Sequence, residues 1–111
     1  MADSNILYCR ILREMSGLSF EWDSKKAESN DRKHGVTFEE AKTVFFDDQA
    51  LVIPDPDHSE NEDRFIIMGK SGQSRMLVVV HCFRRSGTMI RLISARRAGT
   101  KEQKSYWEQK T

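Results

Sequence analysis

The sequence predicts an α+β fold: a small antiparallel β-sheet with two helices before it and one after it, all packed on the sheet. Three observations predict it. Helix-capping signals stand between residues 23 and 40, among apolar residues at helical spacing. Four short runs rich in Val, Ile and Phe follow between residues 50 and 95, separated by turn residues. Beyond Gly99 the chain returns to helical character.

The elements follow in order. Residues 1–19 read as an extension, because the periodic pattern starts only at Phe20-Glu-Trp-Asp, so residues 20–111 form the single domain. After a short strand at Phe20, Asp23 is a good N-cap for a polar helix over Ser24 to His34, and Gly35 suits the left-handed residue that ends it. Lys33 and His34 then sit in the last turn, at the negative end of the helix dipole. Thr37-x-x-Glu40 is a capping box, with Val36 and Ala41 as its hydrophobic staple. Phe38, Ala41, Val44 and Phe45 give that second helix a buried face, and Asp47-Asp48 ends it.

The strands are Ala50 to Ile53, stopped by Pro54 and Pro56; Arg64 to Met68; Arg75 to Phe83; and Thr88 to Ala95. The third is the most apolar, hence central. Strict alternation places Met89, Arg91, Ile93, Ala95 and Arg97 on one face of the fourth strand, and Ile90, Leu92, Ser94 and Arg96 on the other. The last helix opens at Thr100, with Gln103 three residues on as a weaker capping box.

Composition narrows the function class. No apolar run approaches the ~18–20 residues of a membrane span. Arg10, Arg13 and Glu14 interrupt any secretory apolar core near the start, so a cytoplasmic protein is expected. Cys9 and Cys82 form no CxxC pair and read as free thiols in a reducing compartment. Net charge is only +1, but residues 21–63 carry 13 acids against five bases, whereas residues 64–111 carry 11 bases against two acids. That asymmetry points to a basic face for an anionic partner.

Arginines mark the strand ends. Arg64 opens one strand, Arg75 opens the next, Arg84-Arg85 close it, Arg91 lies inside the last, and Arg96-Arg97 end it. A guanidinium cannot be deprotonated in a protein and binds two oxygens at once, so a converging set suits a phosphodiester. Proton-transfer candidates are Lys33, His34, Glu62, His58 and His81. His81 follows Leu77 and Val79 on one strand face and reads as a semi-buried, hydrogen-bonded residue. Asp55, Asp57 and His58 have no recognised metal-ligand spacing, and no P-loop, GxGxxG, nucleophile elbow or Cys/His zinc pattern occurs.

Four stretches in fixed order carry a family likeness. They are FEWDSKKAESNDRKHGVTFEEAKTVF, DPDHSENEDRF, GKSGQSRMLVVVH, and IRLISARRA followed by Glu102 and Tyr106. Over about residues 20–106 the chain resembles the BrnT family of bacterial type II toxins. The resemblance implies a RelE-like fold and an RNA-cleaving toxin that stops translation. It also implies a BrnA-like antitoxin with a ribbon-helix-helix DNA-binding part, forming a hetero-oligomer that represses its own operon. The family's motif residues fall here on Lys33, His34, Glu62, Arg64, Arg91, Ser94, Arg96, Glu102 and Tyr106. Gly99 stands where the pattern more often has Thr, which shifts the last helix cap by a residue.

On that resemblance the expected site is catalytic Lys33, His34, Glu62, Arg64, Arg91 and Arg96, with Arg84, Arg85 and Arg97 binding RNA, and with no metal or cofactor. Arg64, Arg91 and Arg96 hold the scissile phosphate, His34 or Lys33 is base or acid, and Glu62 is the competing base. The alternative is a catalytically inactive module of the same fold that binds nucleic acid or antitoxin, which needs the arginines alone. Sparse strand aromatics argue against recognition by base stacking, and a lone DNA-binding role lacks a helix-turn-helix with basic recognition residues.

Overall fold

The computed structural model describes residues 19–55, 64–84 and 89–109. Residues 1–18, Cys9 among them, and the positions His58, Glu62 and Arg85 therefore lie outside the described residues. The order is β1 (Ser19–Glu21), α1 (Ser24–His34), α2 (Phe38–Ala41), a 3-10 turn (Lys42–Phe46), β2 (Leu51–Pro54), β3 (Arg64–Lys70), β4 (Met76–Arg84), β5 (Met89–Arg97) and α3 (Thr100–Glu108). The α+β class holds. Strands β2 to β5 form an antiparallel meander, and β4 is the middle strand of the five-stranded sheet, as its apolar sequence predicts. The short first strand adds a parallel edge, pairing Ser19, Phe20 and Glu21 with Met89, Ile90 and Arg91.

The local signals explain the helices. The Asp23 carboxylate accepts from the backbone N–H of Lys25 and Lys26 at 2.8 and 3.1 Å, and Gly35 ends α1 at φ 67° with its N–H donating to Asp31 O. Thr37 Oγ1 accepts from Glu40 N at 3.1 Å, which is half of the expected capping box. The other half is missing, because Glu40 turns inward to Arg75 and Ser71. The second helix is also shorter than its periodicity suggests. The Thr43 hydroxyl takes the Glu40 carbonyl at 2.6 Å, and the chain tightens into the 3-10 turn that buries Val44 and Phe45. At α3 the N-cap is Gly99, and Glu102 rather than Gln103 reaches back to its N–H, at 2.7 Å.

The sheet has two unlike faces. One packs against α1, α2 and the 3-10 turn through Ile67, Leu77, Val79, Ile90, Leu92 and Ala95. Gly69 permits the close approach there, since a Cβ would stand 2.9 Å from Asp47 Oδ2 and 3.0 Å from the Ala50 Cβ. The opposite face carries a smaller cluster of Met68, Val78, Ala98 and Tyr106 beneath α3. The Tyr106 hydroxyl donates to Asp47 Oδ2 at 2.7 Å and ties α3 to the 3-10 turn. Asn30 stitches α1 to β5: its amide donates to Val36 O and Ala95 O and accepts from Ala95 N.

His81 lies wholly inside, with ring centroids of Phe45, Phe83 and Phe65 at 4.7, 5.6 and 6.2 Å. Burial pushes its pKa down from 6.5 to about 4, so the ring is neutral near pH 7. Its folded pKa lies below the unfolded one, so the unfolded chain takes up the extra proton. Stability is then full above about pH 6.5 and declines as pH falls toward 4, by up to about 3 kcal/mol. His81→Leu is expected to flatten this part of a pH series of urea melts; a variant with the wild-type slope would exclude His81 as its source.

Candidate active site

The site is set by the register of three strands. Arg64 on β3 stands opposite Cys82 on β4, Cys82 opposite Arg91 on β5, and Arg91 opposite Glu21 on β1. Directly paired residues share a face, so these four side chains form one row across the sheet on its α3 side. Arg64 and Arg91 are two strand spacings apart, about 10 Å. Arg84 belongs to the adjoining row, opposite Met89. Glu21 Oε2 lies 3.2 Å from Arg91 Nη1 and 3.4 Å from Arg84 Nε. One carboxylate thus serves two guanidiniums, and most of the ten N–H donors on Arg84 and Arg91 remain for another anion. Their side chains are 51% and 32% exposed, so that anion reaches them from solvent.

A bulge decides which arginines join this row. Val80 pairs with Ser94, but the next residue, His81, pairs with Leu92, leaving Ile93 opposite no residue of β4. The alternation of β5 reverses there. Ile90 and Leu92 before the bulge and Ala95 after it all face the main core. Arg91 therefore shares its face with Ser94 and Arg96, and the expected pairing of Arg91 with Arg97 is overturned. Arg97 sits opposite Leu77 on the other face, close enough to lower the pKa of Glu40.

The bulge also shapes the sheet edge. Strand β1 covers β5 only as far as Arg91, and α1 takes over beyond it. Between α1 and the edge of β5 runs a groove of about 190 Å³ lined by Lys26, Ser29, Asn30, Lys33, His34, Ile93 and Ser94. Lys33 and His34 thus meet Ser94, which faces the same side as Arg91 and Arg96. Both are exposed and make no hydrogen bond or ion pair with other described residues. Lys26 was not singled out from the sequence, although it precedes Lys33 by seven residues, two helical turns on the same face. Glu21 was missed because nothing local marks a strand carboxylate as a clamp for Arg84 and Arg91, the latter 70 residues away.

Arg96 is the most committed of the set. Its Nη1 and Nη2 hold Glu102 at 2.9 and 2.7 Å, and this bidentate pair draws the Glu102 pKa down to about 2. Arg75 lies outside the site and pairs with Glu40 at the far side of the sheet. Among the described residues, no group of three or more His, Cys, Asp and Glu side chains clusters as metal ligands do.

Residues 22–102 match the family model described as the ribonuclease toxin BrnT of the type II toxin-antitoxin system. The chain belongs to the BrnT family. The fold agrees with the 1.1 Å crystal structure of the Brucella abortus ribonuclease toxin BrnT, at a TM-score of 0.58 and 22% identity, over 75% of this chain and 99% of that one. No curated protein matches the chain. The BrnT match spans α1 through the start of α3, so every described member of the site lies inside it except Ser19–Glu21, the strand that supplies the clamp. No helix among the described residues is long and apolar enough to cross a membrane.

Proposed function

We propose that this BrnT-family toxin is a metal-independent, cytoplasmic endoribonuclease that stops translation. We further propose that a ribbon-helix-helix antitoxin of the BrnA kind neutralises it, in a hetero-oligomer that represses the shared operon. The observation that carries the catalytic reading is the row of Arg64 and Arg91 on the face that also carries Ser94, a residue that lines the edge groove together with Lys33 and His34.

The chemistry needs few parts. A base removes the proton of a ribose 2′-hydroxyl, and that oxygen attacks the adjacent phosphorus. The 5′-oxygen leaves with a proton from an acid, giving a cyclic phosphate and a free 5′-hydroxyl. Negative charge grows on the two non-bridging oxygens, and Arg64 and Arg91 supply preorganised guanidinium donors for them. Arg96, on the same face further along β5 and bonded to Glu102, contributes positive charge from outside the row. Arg84, with Arg85 and Arg97, contacts the flanking phosphates, Arg97 doing so from the opposite face. His34 or Lys33 transfers protons at the edge groove, with Glu62 as the competing base.

Labelled RNA incubated with the protein in EDTA, with and without the antitoxin, tests this. Cleavage that survives EDTA and stops with the antitoxin supports the reading, and a need for added divalent metal overturns its metal-free part. His34→Ala then separates enzyme from binding module: a loss of about 10²–10⁴-fold in rate with RNA binding unchanged is expected.

A further inference from the structure

Beyond the basic row the same sheet face turns apolar. Arg64, Ile66 and Met68 alternate along β3 onto it, each pairing with a β4 residue of that face, so the row passes directly into a groove. The groove holds about 270 Å³ and is lined, among the described residues, by Leu51, Ile53, Ile66, Met68 and Val78, with Glu102 at its rim. Ile53 is 52% exposed although it lies on β2, the edge strand of the sheet. Leu51 and Ile66 beside it are half-buried and Met68 and Val78 form the buried floor, so the groove is an apolar hollow with one exposed isoleucine at its edge, a shape that a partner's apolar side chain fills. A nucleic acid is a poor fit, because a polyanion is held by cations and the groove offers hydrocarbon and the Glu102 carboxylate. The basic row beside it has the opposite character: among the described residues Arg91, and Arg84 from the next row, share the single carboxylate of Glu21.

We infer that groove and row together form one two-part docking surface for the protein antitoxin, whose bound segment sets apolar anchors on Leu51, Ile53 and Ile66 and its carboxylates on Arg64 and Arg91. Charge complementarity fixes the direction of the segment, and the groove supplies the salt-independent part of its affinity. Inhibition follows because the carboxylates occupy the place of the scissile phosphate, a consequence that rests on the ribonuclease reading above.

The test is titration calorimetry of the cognate antitoxin into the toxin at low and high NaCl. It is run beside sedimentation of the toxin alone and RNA binding without antitoxin. Ile53→Asp is expected to weaken antitoxin binding at least ten-fold, with sedimentation and RNA binding as in the wild type. Ser105→Trp, which fills the groove from exposed α3, is expected to do the same without a charge. Arg91→Ala is expected to reduce the salt dependence of the affinity. Wild-type antitoxin affinity in both groove variants overturns the inference. So does a toxin dimer that the variants dissociate, which would place a second copy in the groove, and so does a parallel loss of RNA binding. If the wild type binds antitoxin through the groove but cuts no RNA, the docking surface stands and the ribonuclease reading fails.

Discussion

Arg91→Ala is expected to slow RNA cleavage about 10²–10³-fold, the loss ordinarily seen when one preorganised donor to a developing oxyanion is removed. Arg64→Ala is expected to fall in the same range and to relieve toxicity in cells. The two positions stand in one cross-strand row on a face they share with Ser94, so each is aimed at the same ligand from a rigid strand. In the Arg91 variant Glu21 keeps Arg84 as a partner, so no carboxylate is stranded and the melting temperature should scarcely move. Arg91→Lys separates charge from geometry. It keeps the cation but loses the fork, and it should recover only part of the rate. Initial rates on a labelled RNA, measured with thermal melts of the same preparations, decide the matter. Full activity in both alanine variants would remove the row from the chemistry.

Arg75→Ala is expected to cost about 3–5 kcal/mol, because it strands the Glu40 carboxylate out of water, whereas the guanidinium left by Glu40→Ala is partly exposed and can be solvated, so that variant loses less. The Glu40 side chain is 2% exposed. It accepts from Arg75 Nε at 2.9 Å, from Arg75 Nη2 in a shorter contact and from Ser71 Oγ at 2.7 Å. Arg75 Nη2 also donates to Gly35 O at 3.0 Å, so the pair fastens the corner after α1 to the turn between β3 and β4. Against a typical total of ~5–15 kcal/mol, that loss is a large share of stability. Hydrogen bonding to Arg75 holds the Glu40 pKa below its ordinary 4.5, so its contribution is present above that pH and fades as the medium is acidified through the lowered value. Urea melts at pH 7 of the wild type, Glu40→Ala, Arg75→Ala and the double variant give the coupling directly; an Arg75→Ala loss under about 1 kcal/mol would contradict this account.

Features encoded by neighbours in sequence were legible before the structure. Asp23, Gly35 and Thr37 act through backbone groups a few residues away, so their type and spacing suffice to place α1 and the start of α2. The central position of β4 followed from its continuous apolar run. Features encoded by partners far along the chain were not legible. Glu40 fits a capping box in sequence, yet its bonds go to Ser71 and Arg75, more than 30 residues on. The parallel edge of β1 and the role of Glu21 depend on Arg91, 70 residues away. The bulge at Ile93 leaves only a faint trace, the spacing of Ile90, Leu92 and Ala95, which fits neither strand nor helix period throughout.

That single unpaired residue has a consequence for how the chain tolerates change. Ile93 acts as a phase shifter: the segments on either side of it are read in opposite phase against the sheet. Deleting it would close the bulge and leave one unbroken alternation in which Arg91, Ser94 and Arg96 keep their common face, whereas flattening the bulge with the residue retained would carry Arg91 to the side of Ala95 and Arg97 and swing Ile90 and Leu92 outward. Swapping Ile93 for another residue of similar size leaves the phase alone. The bulge, more than the identity of the residue that fills it, therefore decides which cations of β5 can meet a ligand together.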